Sequence, residues 1–582
     1  MDRKEELADV VRQFAEGRIS RRDFIVRMGA LGVSLSAVGA FLAACGSAAT
    51  PAPTAAPTSA PSSPGQATPA PTVAPSAGIG KEVDLVTFAL TADVQGIDYV
   101  VAYDLNTNPV VNQIIEPLMR TDVQGQLQPN LADSFTESDD GLTYVYKLRS
   151  GVKFHDGSVM TADDVVASMR RHMDPAVGSY LGSFYERVDS VDASGDLEIT
   201  VKLKRGDALW KYSAATNAAG VTSKAFLEKN GKNVGSPEVG IVGTGPYRYV
   251  SWTRGQEIVV ERFDEYWDLA NRAMKIKRCV YKPLIDEATI VQALGTGEID
   301  ATFNLSGKTF VQCTRFNNLE LLTAPSYNVA YLGFNTKRAP WNDKRVRQAI
   351  SYALDKAGTL EASYASQGDV WASPITKAQW TFEKDTFQRA YDALPKYERT
   401  PENLEKAKKL VQDAGAAGAQ GTVLVGNDYD VPAGLAIQAA AKELGMTINV
   451  KRMPQQEKFA LEFAGTPDRE YDMTITIWGS DWPDPAGNCQ TVFYGPNLIQ
   501  NATLYDNAEV TKLIDQQSEE TDPRARADLL TQLQAQVVED QPWIVLYYTF
   551  TLLVQNKRIG GYELRPLYYW GAFLADFYGR ES

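Results

Sequence analysis

The sequence has few of the residues that build metal and redox sites. Its 582 residues include only two histidines, His155 and His172, and no two of its four cysteines form a C-x-x-C pair. So few imidazoles and thiols cannot assemble the usual zinc or nickel clusters, and they give no disulfide framework. We therefore expect no bound metal and no cofactor.

Positive charge is also in short supply. The chain has 58 basic and 72 acidic side chains, a formal net charge of −14. Nucleic-acid binding needs a concentrated basic surface, so the balance argues against that class of partner. The composition, 44% hydrophobic and 10% aromatic, is sufficient for globular cores, and the length predicts more than one lobe.

Long apolar runs are missing except near the N-terminus. Residues 28–44 carry no charge, but 17 residues lie at the lower limit for a membrane-spanning helix. The run ends in Leu-Ala-Ala before Cys45, and small residues there suit a lipoprotein signal peptidase. We predict a signal peptide over 1–44 and a lipid on Cys45, which anchors the protein outside the cytoplasm, on the outer face of the cell membrane or in the periplasm. A permanent transmembrane helix is the alternative.

The export route is suggested by paired arginines. Arg21 and Arg22 precede the apolar run and resemble a twin-arginine signal, although Ile25 and Val26 replace the usual leucine and lysine. An ordinary basic segment for the general secretory route is the alternative. Residues 45–80 then contain eight prolines among alanine, serine and threonine, and this composition predicts a tether that buries no core.

From residue 81 onward, strand and helix patterns alternate, which predicts a mixed α/β fold. Alternating or apolar runs predict strands at 83–90, 143–148, 196–203, 257–263 and 471–478, and helices at 108–119, after Thr161 and after Asn342. In the last helix Val346, Ala349 and Ile350 share an inward face, Arg347 faces water, and Asn342 is the predicted N-cap.

The strand at 471–478 leads into a loop that carries candidate binding residues. Ligands of open α/β sheets bind beyond the carboxyl ends of strands. Trp478, Asp481 and Trp482 follow this strand end, so they are site candidates from the pattern alone. An exposed turn with two packed tryptophans is the alternative.

Ordered motifs over residues 81–570 resemble family 5 of the extracytoplasmic solute-binding proteins, which includes dipeptide-, oligopeptide- and nickel-binding components of ABC importers. The matching blocks lie at 116–118, 131–134, 140–144, 151–157 (GVKFHDG), 161–165, 243–247 (GTGPY), 261–267, 297–300, 332–336, 346–350 and 541–547. Their order along the chain makes the resemblance specific.

The resemblance implies a two-lobed, type II periplasmic-binding-protein-like fold that closes on its ligand. Lobe 1 is expected at 81–116, 243–330 and 555–582, with an extra domain at 117–242, and lobe 2 at 335–550. Chain crossings near 325–335 and 548–555 would act as a hinge. The implied partners are an ABC permease and its ATPase, and the protein is expected to be a monomer and not an enzyme.

The resemblance also implies ligand contacts. Peptide-binding relatives use the aspartate of a Trp-x-x-Asp segment to pair with the ligand's amino group, which corresponds here to Asp481, with Trp478, Gly479 and Trp482 beside it. A carboxylate in a dry cleft binds an ammonium strongly. The alternative is that Asp481 caps a nearby turn.

The expected clamp for a ligand carboxylate is missing. Where the dipeptide-binding members carry an arginine, this chain has Asn427, Asp428 and Tyr429, an acidic loop that disfavours a carboxylate. An oligopeptide, a cationic solute or an oligosaccharide therefore fits better than a dipeptide. Further wall candidates, each equally compatible with a place in the core, are Tyr103, Trp341 and Trp371.

The sequence also raises three further hypotheses, on catalysis, on a disulfide and on the role of the protein. His155 beside Asp156 resembles a catalytic base, but no nucleophile motif accompanies it. Cys279 and Cys313 are the most plausible disulfide pair in an oxidising compartment. A signalling or adhesion lipoprotein with the same fold is the alternative to a transport receptor.

Overall fold

A computed structural model describes residues 80–303, 305–498 and 500–581. The strands are β1 (Val83–Leu90), β2 (Glu116–Pro117), β3 (Met119–Thr121), β4 (Leu127–Pro129), β5 (Ala132–Glu137), β6 (Thr143–Leu148), β7 (Val188–Gly195), β8 (Glu198–Leu203), β9 (Gly220–Val221), β10 (Tyr247–Thr253), β11 (Glu257–Arg262), β12 (Ile276–Pro283), β13 (Ala301–Phe303), β14 (Leu319–Phe334), β15 (Gly368–Asp369), β16 (Gln420–Val425), β17 (Thr447–Arg452), β18 (Met473–Gly479), β19 (Trp543–Asn556), β20 (Ile559–Gly560) and β21 (Tyr578–Gly579).

The α-helices of the described residues are α1 (Thr107–Val111), α2 (Ala162–Arg170), α3 (Trp210–Ser213), α4 (Lys224–Asn230), α5 (Glu287–Thr296), α6 (Gly307–Gln312), α7 (Lys344–Ala353), α8 (Lys356–Tyr364), α9 (Lys384–Ala393), α10 (Pro401–Asp413), α11 (Asp430–Glu443), α12 (Gln455–Glu462), α13 (Ala486–Val492), α14 (Ala508–Glu519) and α15 (Pro523–Asp540).

One mixed sheet runs through the molecule. Its strand order is β10-β11-β12-β1-β13-β19-β14-β18-β16-β17, and β15 adds to β19. We call the side with β10, β11, β12, β1 and β13 the first lobe, and the side with β18, β16 and β17 the second lobe. The architecture is the expected two-lobed α/β fold.

The long central strands β14 and β19 belong to both lobes. The end of β19 pairs with β13 in the first lobe, while residues 328–334 of β14 pair with β18 in the second. Their mutual register shifts between Pro325 and Val329. These two antiparallel strands therefore carry the chain between the lobes, with an irregularity where one lobe gives way to the other.

Side chains alternate between two cores on either face of the second lobe's sheet. Val329 and Tyr331 of β14 enter one apolar cluster, and Ala330 and Leu332 enter another. This is the period-2 geometry of a strand, and burial on both faces explains why β14 and β19 are apolar almost throughout this region. A separate four-stranded sheet, β5-β6-β8-β7, shares the core of the first lobe.

Most predicted elements lie where the sequence placed them, but the helix expected at 108–119 is wrong beyond its first turn. Only α1 forms, and Glu116 and Pro117 instead pair with Val221 and Gly220. Pro117 disfavours helical backbone at the residue before it and has no N–H to donate, so the chain changes to extended structure there.

Two details of helix α7 differ from the expectation. The N-cap is Asp343, whose carboxylate accepts the Arg345 N–H, and not Asn342. Arg347 is buried and not exposed, because its guanidinium donates to the carbonyl oxygens of Trp341 (2.7 Å) and Gln541 (3.0 Å). Backbone carbonyls from a distant segment thus satisfy a charge that the helical pattern had placed in water.

The expected Cys279–Cys313 disulfide is wrong. Both thiols are free and buried, as is that of Cys489. Cys279 lies on β12 in the main core of the first lobe, whereas Cys313 follows α6 in a separate apolar cluster. The two cysteines therefore pack as small apolar side chains in different cores. Cys45, Arg21 and Arg22 lie outside the described residues.

Candidate functional site

The loop after β18 is fixed at both ends. Gly479 pairs with Asn328 of β14, whose side-chain oxygen occupies the place that a Cβ on Gly479 would take. Ser480 Oγ accepts the Trp482 N–H at 3.0 Å. Asp484 is fully buried and accepts two 2.8 Å hydrogen bonds from Arg526. Asp481 thus lies between anchored neighbours.

Asp481 meets two hydroxyl groups from the first lobe. Tyr103 and Tyr569 both donate to its Oδ1, Tyr569 at 3.2 Å. Trp570 stacks on the Tyr103 ring with 5.8 Å between centroids and 25° between planes. The carboxyl group of a second-lobe loop is therefore held by aromatic side chains of the other lobe.

The charge of Asp481 has no cationic partner. Within the described part of the chain, no basic nitrogen lies within 4.0 Å of its carboxylate. Burial raises the pKa of Asp481 to about 6, although the Tyr103 and Tyr569 hydrogen bonds oppose this increase. Such a carboxylate favours a ligand that supplies the missing positive charge.

The two neighbouring tryptophans differ in position. Trp482 is buried, donates its indole N–H to Ser213 Oγ at 3.2 Å, and packs against Phe184 with 4.4 Å between ring centroids. Trp478 keeps part of its surface exposed and donates to Thr491 Oγ1 at 3.2 Å. Trp478 is therefore available as a wall of a cleft. Trp482, in contrast, is buried against Ser213 and Phe184.

The loop before α11 is satisfied internally. The buried Asp430 carboxylate accepts the N–H groups of Gly426 (3.2 Å) and Asn427 (3.0 Å), and Asn427 Nδ2 donates to the Tyr429 hydroxyl at 2.6 Å. Asp428 is exposed and paired with Arg452. Within the described residues, no hydrogen bond joins Asn427, Asp428 or Tyr429 to Asp481.

A buried ion pair, not anticipated from the sequence, lies in the same part of the second lobe. Lys458 and Glu462 on α12 are fully buried, with 2.9 Å between Nζ and Oε1. Thr474 on β18 also donates to Glu462. Lys458 is therefore paired with a neighbour on its own helix.

The remaining aromatic candidates divide between site and core. Tyr103 reaches Asp481, as described above. Trp371 stacks on Tyr391 at 3.9 Å and donates to the Ile375 carbonyl at 2.8 Å, so it packs within the second lobe. Trp341 is completely buried beside Phe334. Only Tyr103 of these three is joined to the candidate site by a hydrogen bond.

His155 has a structural environment. Its Nε2 lies 2.9 Å from the Gly245 carbonyl and its Nδ1 accepts the Gly243 N–H at 3.3 Å. Burial lowers the pKa of His155 to about 4, and Asp156 is turned toward Ser158. With both ring nitrogens occupied by backbone groups, the imidazole fastens the Gly243–Gly245 turn.

Tyr569 and Trp570 were missed by sequence analysis. They belong to the aromatic run Tyr568-Tyr569-Trp570 near the C-terminus, which was the available signal. Their relevance depends on contact with a loop 88 residues earlier in the chain. Within the described residues, no group of three or more potential metal ligands occurs, and no helix has the length and hydropathy needed to cross a bilayer.

Comparison with known proteins gives consistent matches along most of the chain. The model of the family "Bacterial extracellular solute-binding proteins, family 5 Middle" matches residues 126–498. The oligopeptide-binding protein AppA of Bacillus subtilis is 28% identical over 483 residues, which cover 78% of this chain and 84% of AppA. The glutathione-binding protein GsiB of Escherichia coli O1:K1 / APEC is 26% identical over 488 residues, covering 83% and 92%.

Solved structures show the same fold. The periplasmic binding protein DppA of Helicobacter pylori, in complex with the peptide STSA, superposes with a TM-score of 0.73 at 22% identity, over 86% of this chain and 99% of DppA. The family model spans well over half of the sequence. The chain therefore belongs to family 5 of the bacterial extracellular solute-binding proteins, the solute-binding components of ABC importers, which are not enzymes.

Proposed function

We propose that this protein captures oligopeptides or similar amine-bearing organic solutes and delivers them to an ABC permease and its ATPase. The observation that carries the proposal is Asp481, a largely desolvated carboxylate between the lobes with no cation near it. A ligand ammonium would supply that charge. The names of relatives that bind oligopeptides and glutathione support a peptide-like ligand.

Capture proceeds by closure of the two lobes. Strands β14 and β19 are the connections between them, and the register shift near Pro325 supports a hinge at 325–335 and 548–555. A ligand that contacts Asp481 from one lobe and the Tyr103 side from the other binds the closed form better than the open form. That difference in affinity is what drives closure.

The lipid on Cys45 keeps the receptor beside its permease. Residues 46–80 are rich in proline and lie almost entirely outside the described residues; a chain of that length spans roughly 100 Å at most, which limits the distance between the lipid and the binding domain. Labelling with a fatty-acid analogue tests this: we expect label in the wild type and none in Cys45→Ser. Equal labelling of the wild type and Cys45→Ser would show that Cys45 does not carry the lipid.

The ligand class is tested by calorimetry with three matched sets: free-amine peptides of two to nine residues, their N-acetylated forms, and neutral oligosaccharides. We expect saturable binding of a free-amine peptide and at least 10-fold weaker binding of its acetylated form. Oligosaccharide binding alone would replace peptides with sugars. No binder in any set, together with no permease or ATPase gene beside this one, would favour the signalling or adhesion alternative.

A further inference from the structure

Two tyrosines converge on a single oxygen of the ligand-binding carboxylate. The hydroxyls of Tyr103 and Tyr569 both donate to Oδ1 of Asp481. Among the described residues no donor hydrogen-bonds to Oδ2. A carboxylate offers about four acceptor positions, so this arrangement occupies one oxygen and leaves the other for a further partner.

The tyrosine pair, Tyr103 and Tyr569, is held rigidly by its own lobe. Tyr103 stacks on Trp570, and the carbonyl oxygen of Tyr569 accepts from Asn112 Nδ2, a buried amide just after α1. Tyr569 and Trp570 are both buried, and their rings lie 5.2 Å apart. The hydroxyls are therefore presented from a packed aromatic platform.

Both hydroxyls remain donors at all physiological pH values. Burial and the adjacent Asp481 raise the pKa of Tyr103 and of Tyr569 well above the usual tyrosine value. A permanent O–H donor stabilises the ionised form of a carboxyl group. The tyrosine pair thus counteracts part of the desolvation that would otherwise leave Asp481 protonated and unable to attract a cation.

The contact also joins the two lobes. Tyr569 packs in the first lobe's core, with Tyr103 against it, whereas Asp481 belongs to the second-lobe loop after β18. The tyrosines lie 378 and 88 residues from Asp481 along the chain. The Asp481 carboxylate is therefore oriented by residues of the opposite lobe.

We propose that Tyr103 and Tyr569 are positioning residues that orient Asp481 so that Oδ2 receives a ligand ammonium, and that they make amine selectivity a property of the closed form. The proposal rests on the proposed function, because it assigns the source of selectivity at the same site. A pair that merely fastened the lobes would strengthen binding of every ligand equally. A positioning pair strengthens binding of amine-bearing ligands above all.

The test compares the wild-type full chain with Tyr103→Phe, Tyr569→Phe and the double variant. The probe is a random tetrapeptide library, free-amine or N-acetylated, with retained members measured by mass spectrometry and calorimetry. Tyr505→Phe is the matched control. Tyr505 also donates its hydroxyl to an aspartate, Asp540, over 2.7 Å, but this pair is not part of the site. We expect each site variant to lower the free-amine over acetylated affinity ratio about 5- to 10-fold. Tyr505→Phe should leave the ratio unchanged.

An equal loss of affinity for both libraries would mean that the two tyrosines only hold the lobes together, and would overturn the proposal. An unchanged ratio of free-amine to acetylated affinity would overturn it too. A second measurement needs no ligand: carboxyl ¹³C NMR of aspartate-labelled protein, with the Asp481 signal identified by its loss in Asp481→Asn. The double variant should raise the pKa of Asp481 above that of the wild type. If the wild type retains no peptide, the proposed function fails, and this titration alone decides whether the tyrosines act on Asp481.

Discussion

Asp481 and Asp484 stand three residues apart on one loop and have opposite electrostatic environments. Asp484 is fully buried and paired with Arg526 through two hydrogen bonds. Asp481 is partly exposed and receives only neutral hydroxyl donors. The charge of Asp484 is satisfied within the protein, so that side chain holds the loop. The charge of Asp481 meets no cationic partner among the described residues, and we propose that this side chain serves recognition.

The largest effect is expected from removing the partner of Asp484. Arg526→Met should lower the free energy of unfolding by about 3–5 kcal/mol, because it leaves the Asp484 carboxylate buried without a partner. Urea denaturation followed by circular dichroism measures it. The matched control is Arg399→Met, which removes an exposed pair with Glu443 and should cost at most about 1 kcal/mol. Similar losses in both variants would contradict the distinction.

The second prediction removes the charge of Asp481 with the variant Asp481→Asn. We expect affinity for an amine-bearing peptide to fall about 10-fold or more, roughly 1.4 kcal/mol, since the charge attraction is lost while the shape is kept. Stability in urea should stay equal or rise, because an unpaired desolvated charge disappears. Calorimetry and urea denaturation of the same preparation separate the two effects. Unchanged affinity would show that Asp481 does not contact the amine.

The pH dependence of binding sharpens the comparison. The folded-state pKa of Asp481, about 6, exceeds the unfolded value of about 3.9. Ionisation of Asp481 therefore lowers the free energy of unfolding as pH rises through this interval, and the loss is constant above pH 6. Peptide affinity should therefore fall about 5-fold between pH 6 and pH 5, and about 10-fold between pH 7 and pH 5, as the carboxyl becomes protonated. Calorimetry at pH 7, 6 and 5 measures this, and a flat profile in the wild type would contradict it. Asp481→Asn should be flat.

The smallest effect concerns His155. His155→Gln should cost about 1 kcal/mol of stability, because one of two ring hydrogen bonds to the Gly243–Gly245 turn is lost. Ligand affinity should not change, and neither protein should turn over peptide substrates. A loss of binding comparable to that of Asp481→Asn would place His155 in recognition and blur the separation between anchoring and binding residues.

Local patterns predicted much of the fold. The alternation of Thr143–Leu148 and the apolar run of Val83–Leu90 became strands with those bounds. The capping role of Thr161 is confirmed, since its N–H and hydroxyl both reach Asp164 at 2.9 and 2.8 Å. These predictions succeeded because periodicity and capping depend on residues only a few positions apart.

The failures involve distant partners. Arg347 followed the helical pattern but is buried, because the distant carbonyl groups of Asp540 and Gln541 receive its guanidinium. The site prediction for Trp482 stays a prediction, but its contacts with Phe184 and Ser213 could not be foreseen from the loop sequence. A sequence pattern reports which face of an element is polar, but not which distant polar group will meet it.

The sequence by itself determined the alternating α/β pattern, the resemblance to solute-binding proteins, and the position of Asp481 just after a strand. Only the tertiary structure decided that Asp484 is neutralised by Arg526 while Asp481 is left with two tyrosines. The reason is physical: a carboxylate's role depends on the charges and donors within a few ångströms. For Asp481 those donors come from chain segments 88 and 378 residues away, which only the fold brings together.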